Sequence, residues 1–287
     1  MGGQSWPGSL KRMTSEAATA PKPHLRREYV GPPGQQVHVC HSIGGGMDHP
    51  PVVCLHATAY SARSLAPLVS ALGTDRLALA LDTPGYGGSD APPPGWDITA
   101  YAEAMLAALR ELDLGSVDLV GYHTGATLGL EMARLDPSLI RRVAVIGVPY
   151  FPAGEVRESW RHRLAHQTVL EESLAQFQER WDFLVANRPE GMTLARSFDN
   201  FVDDLRAWPN GWWAHEAAFT YDYDELLPAV QQPTLALNPD NHLSDPTRQA
   251  MRLMPHAEVL ELPHLSHGIF EVAAAEIADH VRRHLDR

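Results

Sequence analysis

The chain has 287 residues, 44% hydrophobic and 20% charged, which is enough to bury a sizeable core and too apolar for bulk disorder. Its formal net charge is −12, and its basic residues are almost all arginine, with lysine only at Lys11 and Lys22. Nothing concentrates positive charge, so a nucleic-acid partner is excluded, and no apolar run reaches membrane-spanning length. Residues 1–24 are small, polar and proline-rich, lack the apolar core of a signal peptide, and read as a disordered tail. A soluble cytoplasmic protein is the expectation. Two cysteines, Cys40 and Cys54, cannot make a disulfide framework or a four-thiolate metal site, and their strand-like apolar surroundings read as buried, inert thiols.

Residues 26–42 predict two strands about a Pro-Gly turn. Strands and amphipathic helices then alternate. The first pair is a buried strand at 51–56 and a helix ending at Leu72. A strand at 76–82 precedes a helix over 97–112, with Asp97 or Thr99 as its cap. A strand at 117–122 runs into a helix ending near Leu135, and another strand follows at 141–148. From Pro149 to about Pro228 the rhythm breaks into several amphipathic helices rich in Trp, Glu and Arg. The Arg-Glu-rich stretch 155–181 reads as a solvated helix face. Strand–helix order resumes at 233–239 and 246–253, then at 257–263 and a final helix over 270–286. Such alternation predicts an α/β fold with a parallel sheet covered on both faces, and a late helical insertion becomes a lid over the carboxyl ends of the strands.

The turn after the 117–122 strand is Gly121-Tyr122-His123-Thr124-Gly125. Two glycines flanking a central residue between strand and helix form a nucleophile elbow, which exposes residue 123 where free N–H groups favour negative charge. In order along the chain come His56-Ala57-Thr58, the loop from Asp82 to Asp90 (DTPGYGGSD) and Pro263-His264-Leu265-Ser266-His267-Gly268.

These segments resemble the α/β-hydrolase fold superfamily over roughly residues 26–286. The resemblance implies an eight-stranded, mostly parallel sheet. It implies a core of residues 25–149 and 229–287 and a helical cap at 150–228. It places an oxyanion-hole N–H on the Ala57–Thr58 segment, a nucleophile at position 123 and the catalytic histidine at His267. The family's acid lies in a loop resembling Pro239–Pro246, whose register puts His242 at the acid position and Asp240 two residues before it. The triad positions therefore read His123, His242 and His267, so an acyl-enzyme mechanism through serine does not carry over.

Three readings follow. Three imidazoles with an open fourth position are the ligand set of a catalytic zinc site, with Asp240 orienting one of them. Without metal, His267 acts as general base, oriented by Asp240 and beside His123, while the N–H groups of Thr58 and Thr124 hold an oxyanion. The third reading is a binding protein that has lost catalysis. Tyr122 either faces the pocket or packs beneath the sheet. His56 braces the oxyanion loop, and His264, three residues before His267, is either a fourth ligand or, as the favoured reading, loop surface. Trp208, Trp212, Trp213, Phe219 and Tyr221 form either an aromatic substrate wall or ordinary lid packing. The expected activity is hydrolysis of a small organic molecule, namely an ester, a lactone or a carbon–carbon bond next to a carbonyl. A lyase or a cofactor-independent oxygenase is the enzymatic alternative. The expected partner is a small-molecule substrate; whether the chain forms a homo-oligomer stays open.

Overall fold

The computed structural model describes residues 25–43, 48–165 and 169–287. The expected tail at 1–24 lies outside them. Strands β1 (Arg26–Val30) and β2 (Val37–His41) form an antiparallel hairpin. Then come β3 (Val52–Leu55), a short 3₁₀ turn and α1 (Ala66–Leu72), β4 (Ala78–Leu81) and α2 (Ile98–Glu111). They are followed by β5 (Val117–Tyr122), α3 (Thr124–Leu135) and β6 (Ile140–Ile146). The eight strands make one sheet in the order β1-β2-β4-β3-β5-β6-β7-β8, where β7 is Thr234–Pro239 and β8 is Ala257–Leu262. Among the described residues only the pairings of β2 with β1 and β4 are antiparallel.

The pleat explains the two-sided core. On β3, Val53 and Leu55 join an apolar cluster with α2 and α3, while Val52 and Cys54 join another with α1 on the opposite face. All four are fully buried, each worth about 1.5–3 kcal/mol for the larger side chains. Asp97 caps α2 by accepting the Ala100 N–H at 2.8 Å; Thr99 instead donates to Glu131 at 2.6 Å.

Between β6 and β7 the described residues form five helices: α4 (Glu155–Leu164), α5 (Ala175–Trp181), α6 (Leu194–Ala207), α7 (Trp213–Thr220) and α8 (Tyr223–Ala229). A π turn at Asp182–Ala186 continues α5. α4 buries none of its residues, in keeping with a solvated face. α9 (Ser244–Arg252) joins β7 to β8. The final helix departs from expectation. It is split at Ala273, whose φ of −139° is not helical, into α10 (Ile269–Val272) and α11 (Ala274–Leu285). Among the described residues no helix is long and apolar enough to cross a membrane.

Candidate active site

The carboxyl ends of β3, β5, β7 and β8 deliver the candidate residues to one place. β5 ends at Tyr122, and the chain turns through His123 into α3. His123 has φ 52° and ψ −114°, a conformation costing a non-glycine residue about 1–3 kcal/mol. A Cβ on Gly125 would stand 2.3 Å from the Leu55 carbonyl oxygen, so glycine is what lets the start of α3 lie against the end of β3. That contact sets the Leu55 and His56 backbone, which leads into Ala57 and Thr58, against the start of α3. Ala57 and Thr124 are buried and Thr58 is half-buried. Thr124 is the first residue of α3, so its N–H lies outside the helix's own ladder.

His56 does brace this loop. Its Nδ1 donates to the Ala57 carbonyl at 2.9 Å, and its Nε2 accepts the Thr83 N–H at 3.0 Å. Next to it, Asp82 accepts the Ala62 N–H at 2.5 Å and the Gly88 N–H at 2.8 Å. The loops after β3 and β4 are thereby held as one unit.

Three imidazoles meet here. The ring of His123 stands edge-on to His242 with centroids 5.9 Å apart, and His242 lies nearly parallel to His267 at 5.6 Å. Burial first, then the neighbouring His242, His267 and His215, hold His123 down to about pKa 3. His242 reaches the surface, yet burial, His267 and Arg163 lower it; burial alone lowers His267. All three are neutral near pH 7.

The His123 ring has a specific seat. Its Nε2 is buried without a hydrogen-bond partner. A Cβ on Gly147, at the end of β6, would stand 2.7 Å from His123 Cδ2 and 3.0 Å from Nε2. Gly147 thus makes the space for the ring. Tyr122 resolves in favour of packing. Its ring lies 4.1 Å from His123 and 5.0 Å from Phe270, and burial raises its hydroxyl pKa.

Two sequence-based expectations fail on geometry. Asp240 is exposed; its N–H donates to the Leu265 carbonyl at 2.8 Å, and its carboxylate makes no hydrogen bond or ion pair among the described residues. It does not orient His267. Nor do His123, His242 and His267 form a zinc ligand set. Among the described residues no three His, Cys, Asp or Glu side chains are placed to hold a metal ion, and His123 Nε2 is covered by Gly147. The residues as arranged do not fit a metal.

The sequence reading missed Trp160, His215 and Gly147. Trp160 stacks on His242 at 5.1 Å and on Phe151 at 5.6 Å, and Phe151 stacks on Phe219 at 6.0 Å. An aromatic column therefore descends from the cap onto the histidines. Of the five aromatics expected in a wall, only Phe219 belongs to it. Trp208 and Trp213 line a separate cavity of about 120 Å³ beside Tyr86, which holds none of the three site histidines. Trp212 packs edge-on to Trp213, and Tyr221 to Tyr223. His215 lies in the cap and is lowered to about pKa 4 by burial and Arg180. His264 is exposed and paired with Glu276 at 2.8 Å, as loop surface should be. No periodicity marks any of the missed residues, because their partners come from distant loops.

A family profile described as "Alpha/beta hydrolase family" matches residues 52–280. Curated relatives match shorter stretches. A haloalkane dehalogenase of Psychrobacter cryohalolentis is 32% identical over 116 residues, 39% of this chain and 37% of that protein. The (E)-2-((N-methylformamido)methylene)succinate hydrolase of Acinetobacter baylyi is 25% identical over 109 residues, 38% of this chain and 41% of that protein. These matches span less than half the length of either relative. Among solved structures, bromoperoxidase from Bacillus anthracis superposes with a TM-score of 0.75 at 20% identity, covering 91% of this chain and 100% of that one. E-2-(acetamidomethylene)succinate hydrolase gives 0.73 at 20% identity, covering 92% and 100%. At these identities the likeness is one of fold.

Proposed function

The chain belongs to the alpha/beta hydrolase family, and from that premise we propose that it hydrolyses a small organic substrate with water, not a side chain, as the attacking group. An ester, a lactone or a carbon–carbon bond next to a carbonyl fits this chemistry. The observation that carries the reading is the side chain at the turn between β5 and α3: a neutral imidazole in contact with a second imidazole, which is itself stacked on a third. His267, lowered by burial, is ready to take a proton from water, a role worth roughly 10²–10⁴-fold in rate. His123 holds the water or the substrate carbonyl, and Tyr122 steadies its ring. The N–H groups of Thr58 and Thr124 stabilise the developing oxyanion, with Ala57 keeping the loop close. His242, between Trp160 and His267, forms the wall against which the base works.

One observation favours a second reading, ligand binding without turnover. Among the described residues no carboxylate reaches His267, so the base lacks the partner that usually fixes its tautomer.

The test is turnover of p-nitrophenyl acetate and butyrate, γ-butyrolactone and a β-diketone, with a fluorophosphonate as probe for serine. Turnover without labelling is expected, and His267→Ala should lower kcat/KM by about 10²–10⁴-fold. Stoichiometric labelling of a serine overturns the proposal. No turnover of any class, with ligands that raise Tm, replaces it with the binding reading.

A further inference from the structure

Away from the histidine cluster, a second constellation of reactive groups lies on β2. His38 and Cys40 are two residues apart on one strand, so their side chains share a face. Cys40 Sγ is 3.9 Å from His38 Nε2, and His38 Nδ1 is 2.7 Å from Asp82 Oδ2. Carboxylate, imidazole and sulfur thus follow one another in the order used by activated nucleophiles. We propose that Cys40 is a nucleophilic thiol, served by the His38–Asp82 pair, that reacts with small electrophiles of the peroxide class.

The geometry supports this in three ways. Asp82 is 1% exposed and fixed by the N–H groups of Ala62 and Gly88, so the imidazole it holds has a set orientation. The His38 main chain is fixed as well: its N–H donates to Ser89 Oγ at 2.9 Å and its carbonyl accepts from the Asp82 N–H at 2.9 Å. Second, Nε2 faces Sγ while Asp82 holds Nδ1, and the hydrogen bonds to Asp82 and then Cys40 push the imidazole pKa up to about 9. Third, the chain carries its own control. Cys54 lies on β3 in the same apolar cluster with no exposure, and burial pushes its thiol up to about 12. Cys40 keeps 5% exposure. The titratable groups around His38 are Asp82 just after β4, Cys40 on its own strand and Tyr29 on β1, whose ring is 5.2 Å away. None of them is among the candidate active-site residues, so this inference stands apart from the proposed hydrolysis.

The reaction balances. With hydrogen peroxide, a bond forms between Sγ and one oxygen while the O–O bond breaks. The leaving hydroxide takes the proton from His38 Nε2 and departs as water. Sulfur is oxidised by two electrons and peroxide is reduced. With iodoacetamide, an S–C bond forms and iodide leaves with the electron pair.

The experiment alkylates the native full chain with iodoacetamide at pH 7 and follows both cysteine peptides by mass spectrometry. Cys40 is expected to react at least about tenfold faster than Cys54, and His38→Gln to slow Cys40 by about tenfold. Peroxide followed by dimedone should tag Cys40 alone. The inference is overturned if neither thiol reacts before denaturant is added, or if both react at the same rate. It is also overturned if a His38→Gln protein with native-like melting labels Cys40 as fast as wild type. Should that variant fail to fold, the wild-type rate ratio and the dimedone adduct decide the matter.

Discussion

His123 pays twice for its place, once in backbone strain and once in a buried, unpartnered Nε2. The first cost can be separated from the second by substitution. Alanine at 123 keeps the positive φ and removes the ring; glycine removes both. His123→Gly is therefore expected to be more stable than His123→Ala by about 1 kcal/mol, although glycine ordinarily costs unfolded-chain entropy. Urea unfolding of the two variants measures the difference, and an alanine variant of equal or greater stability would refute the strain. The identity of residue 123 was legible because the flanking glycines and the strand–helix change bracket it. The seat of its ring was not, because Gly147 reaches it across the sheet from β6. Asp240 shows the converse failure. Its spacing from Pro246 suggested a partner for His267, but its main chain is tied to Leu265 and its carboxylate faces solvent.

The elements themselves followed from local pattern. β3 and β4 are apolar throughout and β7 nearly so, while β5, β6 and β8 carry charged residues among apolar ones; α2 shows the 3.6-residue spacing of a helix with one buried face. How the cap sits on the core was not legible, since it depends on single contacts between remote loops. Tyr86 is one of them. From the loop after β4 its hydroxyl donates to the Gly211 carbonyl at 3.0 Å and accepts the Ala214 N–H, near the start of α7, at 3.1 Å. Tyr86→Phe strands both backbone groups in a buried place. A loss of about 1–2 kcal/mol in unfolding free energy is expected, together with faster amide exchange in α7. Unchanged exchange in α7 would show that the tyrosine does not hold the cap.

For the molecule as a whole, the histidines set opposing pH dependences. His123 and His215 are lowered to about 3 and about 4, so between those values and 6.5 the unfolded chain binds more protons and stability rises with pH. His38 is raised to about 9, so its contribution is complete below 6.5 and is lost as pH rises through 9. Asp82 is lowered, and its share is lost only as pH falls below 3.8. The two histidine effects meet near 6.5, where stability should peak. Unfolding midpoints measured between pH 4 and 10 test this; His38→Gln should flatten the alkaline limb and leave the acid limb in place. A wild-type curve flat from pH 6.5 to 9.5 would contradict the His38 assignment.

The chain departs from β6 into the cap and comes back into β7, and these two strands are direct parallel neighbours in the sheet. The last helix before the return, α8, already belongs to the core. Leu226 and Leu227 are buried in it, and Tyr223 bonds Thr127 on α3 at 2.8 Å. α7 reaches the same cluster through Ala214, Ala217 and Ala218, so the return to the core begins before α8. The stretch that leaves this cluster intact runs from about residue 151 to 206, and an exchangeable cassette would be cut there. Grafting another roof there would recast which molecules enter without rebuilding the floor that holds the imidazoles.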